Sequence, residues 1–475
     1  MAVVVASFLV CIAVFAAIGL ASARGRSSTP QDYLVASRNV SPWLTALSSV
    51  ATNNSGFMFI GLLGFTYRFG VQAVWLQLGW IIGDVIVWMW IHRRVREVSG
   101  ELGVSSVPAL LASDADGAIA RPVVIVAGLL TLVFLGGYAA AQLDAGSTAL
   151  HVLFGWDARI GLVLGAMVVV AYCFAGGLRA SIWTDAAQAF VMLGSMAALL
   201  GYAMIEVGGP MALLDRLHGE DPALVQWIPT APELGFGIYL LGFVFGGLGV
   251  LGQPHILIRT MAIRSADDIP LARRVYFLWY VPFSIAAVGA GLYARVLLPD
   301  LLHGVSVADA AAVAEGALPA LAVELLPAIL VGTLLAGVFA ATMSTADSQI
   351  ISCSAALTQD LAPRWRDSYL ASKVGTVLVT AGALAFALHA GDDVFSLVLG
   401  AWSALGATLG PLLLLRVLGR EVPPMLAVAM MAVGLATVFA WNASSHAGAA
   451  FDLLPGMLAP LLLYALTSAL VPTRS

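Results

Sequence analysis

The sequence predicts an all-α integral membrane protein with about thirteen transmembrane helices. Of its 475 residues, 60% are apolar and 10% are charged, and the mean hydropathy is +0.95. A soluble chain of this length could not bury so much apolar surface, so the protein must reside in lipid. With about 20 apolar residues for each crossing, the predicted spans are 2–22, 42–69, 71–91, 120–146, 158–177, 180–205, 235–258, 275–298, 326–358, 373–391, 393–415, 424–443 and 451–471.

The distribution of basic residues predicts the orientation of these spans. An odd number of spans places the two termini on opposite sides of the membrane. With the N-terminus outside, the inner segments contain 18 of the 22 basic residues, and only Arg68, Arg159, Arg216 and Arg295 lie outside. This asymmetry follows the positive-inside rule. We therefore expect a multi-pass protein of the plasma or inner cell membrane, with its N-terminus outside and its C-terminus in the cytoplasm.

Two spans are interrupted by polar residues and glycines at membrane depth, in the second span at 51–56 and in the seventh at 246–255. A freed backbone group is costly in hydrocarbon unless it faces protein or a cavity. The two spans are five apart and enter from opposite sides. That pattern is typical of an inverted five-plus-five, LeuT-like repeat, whose unwound helices bind ions and substrate. For the glycines at 246–249, close helix packing is an open alternative.

This pattern divides the chain into parts of one transmembrane transporter domain, 1–475. We predict an extra N-terminal span at 1–22, a first repeat at 42–205, a second repeat at 235–415 and extra C-terminal spans at 424–471. The longest stretch between spans is too short to bury a core of its own, so any activity must lie among the helices.

The motifs that are missing narrow the function classes. The sequence contains no Gly-rich phosphate loop, nucleophile elbow or His-Glu metal motif, which argues against an enzyme. Its net charge of −5 includes no basic block, so nucleic acid is not an expected partner. The expected partners are a small solute, a cation and the lipid bilayer, and no obligate protein partner is indicated.

Hydroxyl and carboxyl groups in the middle of the spans are candidates for an ion site. In the ninth span, Ser344 and Thr345 precede Asp347, and oxygen atoms at this density suit a small hard cation. A single hydroxyl on a membrane helix commonly bonds to its own backbone instead. Asp347 and Asp185 are ionisable groups at membrane depth and therefore functional hypotheses. Each could instead pair with an arginine near the inner interface, such as Arg179.

Two further carboxylates and a group of tryptophans are less informative. For Asp84 and Asp144, the sequence does not choose between an ion site, a salt bridge and an interface position. The third span also contains four tryptophans, for which aromatic-girdle or packing roles are favoured over ligand stacking. They are Trp75, Trp80, Trp88 and Trp90.

Several stretches from the second to the ninth span form a recognisable pattern. They are 37–43, Ser55-Gly56 with Gly61-Leu62, 176–180 with 183–185 and Gln188, 247–249 with 252–255, and 340–345. In these stretches the chain resembles the sodium/solute symporter family. The stretches occur in the family's order, and the correspondence thins after residue 360.

The resemblance implies functional residues at matching positions. It implies a sodium site formed by the carbonyls of Ala51, Asn54 and Ala341 and the hydroxyls of Ser344 and Thr345. Some relatives bind a second sodium, which here implies a cation or proton site at Asp185, Asp347 and Ser348. The implied substrate-binding residues are Asn53, Ser55, Gly56, Tyr138, Gly246, Val250, Gln253 and Pro254.

The chain departs from the pattern of the proline-transporting members at three of these positions. Asn53 replaces an aspartate, which removes a charge near the ion. Gly246 and Val250 replace bulky aromatic residues, so we expect an enlarged or reshaped pocket.

The resemblance implies a sodium-coupled secondary active symporter that imports a small organic solute, an amino acid of the proline type, by alternating access. Na⁺ is then the coupling ion. Two alternatives remain at this point. One is the same fold with a sugar or a monocarboxylate as its solute, and a sugar site should show several amide and hydroxyl groups around Gln77 and Gln253. The other is a transporter-like sensory membrane module.

Overall fold

The computed structural model describes residues 1–25, 27–114, 116–155, 157–229, 232–307, 309–389 and 394–470, and these residues form helices linked by short turns, with only isolated β-bridges. The predicted span ends at 391, 393 and 471 lie outside the described residues. The α-helices are α1 (Ala2–Ser22), α2 (Pro30–Val35), α3 (Pro42–Gly56), α4 (Leu62–Phe69), α5 (Val74–Glu101), α6 (Val107–Ala112), α7 (Arg121–Leu130), α8 (Gly136–Phe154), α9 (Ala158–Val207), α10 (Gly209–Glu220), α11 (Phe236–Leu248), α12 (Pro254–Ala262), α13 (Ile269–Leu297), α14 (Ala310–Glu315), α15 (Ala317–Leu325), α16 (Ala328–Ala355), α17 (Tyr369–Ala387), α18 (Val394–Val417), α19 (Pro424–Asn442) and α20 (Leu453–Leu470).

Many of these helices are long and apolar enough to cross a membrane. Within the described residues there are nine such helical stretches, or ten if the bent pair Phe236–Gly252 and Pro254–Ala262 is one span. Two of them, Pro42–Glu101 with 60 residues and Arg159–Val207 with 49, are long enough for two crossings each. The all-α membrane fold is therefore confirmed, and the count of thirteen crossings stays a prediction.

A single glycine divides α9. Gly177 has φ 57° and ψ −146°, in the left-handed region that favours glycine. A Cβ at this position would lie 2.4 Å from the carbonyl oxygen of Tyr33 in α2. Gly177 therefore both turns the chain and permits the close approach of α2.

Glycines also set the distance between α5 and α11, which pack along each other. A Cβ on Gly83 would lie 2.2 Å from the carbonyl oxygen of Val244, and one on Gly247 would lie 2.1 Å from that of Trp80. Both nearest atoms are backbone carbonyl oxygens. A side chain at either glycine would therefore have to displace the backbone of the neighbouring helix, at a cost in free energy. This close crossing places the third and seventh predicted spans side by side at the break in the seventh.

The two ends of α5 contact different groups of loops. At its N-terminal end, Trp75 Nε1 donates to the carbonyl oxygen of Trp227 at 2.5 Å. At its C-terminal end, Arg93 forms an ion pair with Asp267 at 2.8 Å, and Arg96 Nε donates to the carbonyl oxygen of Ile263 at 2.6 Å. The segment around Trp227 and the basic segment near 264 therefore lie at opposite ends of the bundle.

We predict that Gly83→Ala destabilises the protein by about 1–3 kcal/mol, because the added methyl group forces the backbones of α5 and α11 apart. The measurement is the thermal unfolding midpoint in detergent. Gly194→Ala is the matched control, because a Cβ on this α9 glycine would meet no heavy atom within 4 Å. Equal midpoints for the two variants would show that the crossing tolerates the extra volume.

Candidate functional site

The helix α3 ends in a break that leaves backbone groups free in the middle of the bundle. Ser55 has φ 45° and ψ −177°, a conformation that residues other than glycine rarely adopt. The side-chain oxygen of Gln142, on α8, accepts the N–H of Gly56 at 2.8 Å. The N–H of Phe57 donates to Ser55 Oγ at 3.1 Å. Gln142 is therefore a partner of the break that sequence reasoning missed, because it lies on a different helix.

Hydroxyl groups of α16 meet the carbonyls near the end of α3. Ser344 Oγ lies 3.1 Å from the carbonyl oxygen of Ala341 and 3.4 Å from that of Ala51. Thr345 Oγ1 lies 3.0 Å from the carbonyl oxygens of both Ala341 and Thr52. All five residues are buried. They form a compact cluster of uncharged oxygen atoms, the kind of group with which discontinuous helices of transporters coordinate Na⁺.

This cluster contains four of the five residues predicted for the sodium site. Asn54 is placed differently, since its carbonyl oxygen accepts the N–H of Phe57 and its buried Oδ1 has no hydrogen-bond partner within the described part of the chain. The carbonyl of Thr52 contacts Thr345 instead. Which carbonyl faces inward depends on the exact twist of the break, and the residue pattern does not specify that twist.

The residues of the predicted second site surround a buried arginine. Arg259, on α12, forms an ion pair with Asp185 at 2.8 Å, and both side chains are completely buried. The same guanidinium donates to Ser348, and its Nε donates to Ser48 Oγ at 2.6 Å. Ser348 Oγ in turn donates to Asp347 Oδ1 at 2.7 Å. The structure therefore brings all three predicted residues together around the positively charged guanidinium of Arg259.

Two carboxylates in this cluster face one guanidinium. Ser181 Oγ lies between the two acidic residues, 2.8 Å from Asp347 Oδ1 and 3.4 Å from Asp185 Oδ2. Asp185 Oδ1 and Asp347 Oδ2 are buried and have no partner among the described residues. The arginine named in the sequence-based alternative, Arg179, pairs with Asp32 at 2.5 Å instead. Arg259 was detectable in the sequence only as a basic residue inside an apolar stretch.

The second break lies between α11 and α12, which are bent by 59°. Residues Gly249–Gly252 form a 3₁₀ turn, and α12 begins at Pro254. Trp402, on α18, bridges this break with two hydrogen bonds. Its Nε1 donates to the carbonyl oxygen of Gly246 at 2.8 Å, and its carbonyl oxygen accepts a hydrogen bond from Gln253 Nε2 at 3.1 Å. The polar atoms released by the break are thus partly satisfied by a helix far away in sequence.

A small cavity with about 20 Å³ of free space lies beside the break in α3. Of the eight predicted substrate-binding residues, Asn53 and Tyr138 line it. Ser55, Gly56, Gln253 and Pro254 belong to the breaks, whereas Gly246 and Val250 are buried in the seventh span behind the cavity wall. The other lining residues are Phe57, Met58, Gln77, Trp80, Tyr280, Val398, Leu399 and Trp402.

The space left by Gly246 is filled by another helix. A Cβ on Gly246 would lie 2.8 Å from the ring of Trp80, on α5. The rings of Trp80 and Trp402 are 5.8 Å apart and both line the cavity. Tryptophans from the third and eleventh predicted spans therefore supply aromatic surface beside Gly246, and the enlarged or reshaped pocket stays a prediction. Trp80, for which the sequence favours a girdle or packing role over ligand stacking, therefore lines the cavity.

Polar side chains on one side of the cavity are held by α13. Asn53 Nδ2 donates to the hydroxyl of Tyr276 at 2.6 Å. Gln77 Nε2 donates to Ser284 Oγ at 2.8 Å and to the hydroxyl of Tyr280 at 3.2 Å. Gln253 does not line the cavity, so the two glutamines that a sugar site would share are separated.

Comparison with known proteins identifies the family. A profile of the Sodium:solute symporter family matches residues 33–434. The chain is 30% identical to the sodium/proline symporter of Escherichia coli (strain K12), over 94% of this chain and 89% of that protein. It is 28% identical to the high-affinity proline transporter PutP of Bacillus subtilis (strain 168), over 92% of each.

Its fold is similar to that of a Na⁺-coupled sialic acid symporter solved in a substrate-bound outward-open state, with a TM-score of 0.80 and 18% identity over 99% of this chain and 98% of that one. This likeness confirms the predicted LeuT-like class of fold. The family match confirms a membrane transporter, not an enzyme, with Na⁺ as the coupling ion. The chain belongs to the sodium:solute symporter family.

Proposed function

We propose that this protein imports a small amino acid of the proline type together with Na⁺, and that the ion binds between α3 and α16. The observation that carries this proposal is the contact of the Ser344 and Thr345 hydroxyls with carbonyl oxygens near the break in α3. The ion ligands are the predicted Ala51, Ala341, Ser344 and Thr345, joined by Thr52. Asn54 contributes once the break rearranges around the ion.

The lining of the cavity supports a small, partly apolar solute. Phe57, Trp80 and Trp402 offer aromatic faces for a compact ring or aliphatic group. Both curated relatives described above transport proline, as their names state. Asn53 and Tyr138 contact the solute, and Ser55, Gly56, Gly246, Val250, Gln253 and Pro254 shape the backbone around it.

The mechanism is alternating access coupled through the break in α3. Na⁺ binds first from outside and draws the carbonyls of α3 toward the hydroxyls of α16. The same movement positions Asn53, which lines the cavity, so ion and solute bind with positive coupling. The membrane potential adds about 2.3 kcal/mol for each charge per 100 mV to the sodium gradient.

The cluster around Arg259 is the second cation or proton site. Asp185, Asp347 and Ser348 converge there, and two carboxylate oxygens have no partner within the described residues. One guanidinium balances only one of two ionised carboxylates. A second Na⁺ or a proton supplies the missing positive charge.

The protein lies in the plasma or inner membrane, in one transporter domain with repeats at 42–205 and 235–415. The N-terminus is outside and the C-terminus is in the cytoplasm. This orientation is supported by the opposite placement of the segment around Trp227 and the basic segment near 264.

We predict that Ser344→Ala and Thr345→Ala each lower sodium-driven uptake of radiolabelled proline into proteoliposomes by about tenfold or more. Each removes one oxygen that contacts a cation, a loss of about 1.5–3 kcal/mol. Thr333→Ala is the control, because this hydroxyl lies on α16 but donates to Ile329 in its own helix. If sodium-dependent uptake survives both substitutions, the ion does not bind between α3 and α16.

We predict that Arg259→Met lowers the unfolding free energy by about 3–5 kcal/mol, because it leaves buried carboxylates without their cation. The double variant Arg259→Met/Asp185→Asn should recover part of this loss. Arg264→Met is the control, since its ion pair with Asp268 is exposed and such pairs contribute about 0–1 kcal/mol. Thermal unfolding in detergent measures all three, and a double variant no more stable than the single one would contradict the charge argument.

We predict that a cysteine at Asp215 reacts with a membrane-impermeant maleimide in intact cells, whereas one at Glu101 reacts only after permeabilisation. Both positions are exposed, on α10 and at the end of α5. Cys11, Cys173 and Cys353 are replaced beforehand. The reverse labelling pattern would invert the proposed orientation.

A further inference from the structure

The first residues of α20 contact the broken seventh span, although α20 belongs to neither predicted repeat. Phe451 and Leu453 lie where this helix begins, in one of the extra C-terminal spans. A Cβ on Gly249, in the 3₁₀ turn of the break, would lie 2.5 Å from Leu453 Cδ2, and one on Gly406, in α18, would lie 2.8 Å from its Cδ1. A Cβ on Gly242, in α11, would lie 2.6 Å from the backbone nitrogen of Phe451. The segment 451–453 therefore packs directly against both α11 and the break.

Hydrogen bonds to α18 and α19 hold this segment in place. Asp452 Oδ1 accepts a hydrogen bond from Ser403 Oγ at 2.6 Å, and its Oδ2 accepts one from Asn442 Nδ2 at 2.7 Å. Next to α19, Trp441 Nε1 donates to the carbonyl oxygen of Ala450 at 3.1 Å. The position of the segment 451–453 is therefore set by α18 and α19.

The ring of Phe451 packs against a tryptophan that lines the cavity. Its centroid lies 5.4 Å from that of Trp80, in a tilted arrangement, and 6.3 Å from that of Phe243. Trp80 is 7% exposed, and a Cβ on Gly246 would lie 2.8 Å from its ring. Trp80 lines the cavity, whereas Phe451 is not among the lining residues. Phe451 therefore lies behind Trp80 in the wall of the cavity.

We propose that Phe451 is a specificity-determining residue for the transported solute, because it holds Trp80 in the position that limits the size of the cavity. This inference rests on the proposed function and deepens it, since it places part of the solute selectivity in a span outside the two repeats. Phe451 is a positioning residue, which acts through Trp80 and does not touch the solute.

The tight packing of this wall explains how Phe451 controls the cavity. The cavity has about 20 Å³ of free space, so a small displacement of one wall changes which rings fit. A buried aromatic ring keeps its position only while its neighbours fill the space around it, because protein interiors are close-packed. Removal of the Phe451 ring leaves a void behind Trp80, into which the indole can move. The cavity then grows on the side of Trp80.

The first test compares proline with pipecolate, whose ring is larger by one methylene group. Uptake of both radiolabelled solutes is measured in proteoliposomes with an inward sodium gradient. The wild-type protein should prefer proline by at least about tenfold in kcat/KM, because one methylene group changes this ratio by about 10–200-fold in a hydrophobic pocket. In Phe451→Ala the preference should fall by roughly tenfold, since the displaced Trp80 admits the extra methylene group.

The preference for proline separates this role from a general loss of stability. Both solutes are measured with the same preparation, so a smaller folded fraction lowers both rates and leaves their ratio unchanged. Phe439→Ala is the matched control and should keep the wild-type ratio, because this phenylalanine lies in the neighbouring α19 but is 59% exposed. If Phe451→Ala yields no folded protein, Phe451→Leu should shift the ratio in the same direction by a smaller factor.

The second test asks whether Phe451 acts through Trp80. The double variant Trp80→Ala/Phe451→Ala should have the same preference ratio as Trp80→Ala alone, because the ring that Phe451 positions is already absent. A further change of the ratio in the double variant would overturn the proposed route.

The outcomes distinguish this inference from the proposed function. An unchanged ratio in Phe451→Ala would overturn the inference and leave sodium-driven proline uptake intact, and so would a wild-type protein that transports both solutes equally well. Sodium-dependent thermal stabilisation without any proline uptake would overturn the proposed solute, and the inference with it.

Discussion

Backbone groups released at membrane depth must find partners inside the protein, and this requirement organises the helices around the site. At the break in α3 the partners are Gln142 for an N–H group and the hydroxyls of Ser344 and Thr345 for carbonyls. At the break between α11 and α12, Trp402 serves both a carbonyl and a side-chain amide. Each partner lies on a helix other than the one that breaks. A movement of one helix against another therefore changes the oxygen cluster and the cavity together. This shared dependence is a physical basis for coupling ion to solute.

Three carboxylates buried at membrane depth, Asp84, Asp185 and Asp347, differ in how they are stabilised. Asp185 has a direct ion pair with Arg259. Asp347 is held by two serine hydroxyls, and Asp84 by one tyrosine hydroxyl. The interior is therefore short of positive charge when all three are ionised. A protein that carries cations across a membrane benefits from such a deficit, because the transported ion relieves it during the cycle.

Side chains from several helices build the wall of the cavity. Gly246 provides no side chain, yet the ring of Trp80 occupies the adjacent space from α5. Trp402 completes the aromatic surface from α18 while it ties down the break in the seventh span. The shape of a pocket depends on all the side chains that pack around it. The effect of a substitution on one side therefore depends on the side chains of the opposite side.

Composition, hydropathy and the two interrupted spans were sufficient to predict an all-α membrane transporter, because lipid permits few ways to satisfy a backbone and broken helices are one of them. The hydroxyls of α16 and the carboxylates at membrane depth could also be identified by type and depth alone. Only the tertiary structure shows that Arg259 pairs with Asp185, that Thr52 contacts Thr345, and that Tyr276 links Asp84 to Asn53. These contacts join residues 74 to 293 positions apart. Local periodicity carries no information about such pairs, since they depend on how the helices cross and on which glycines let them touch.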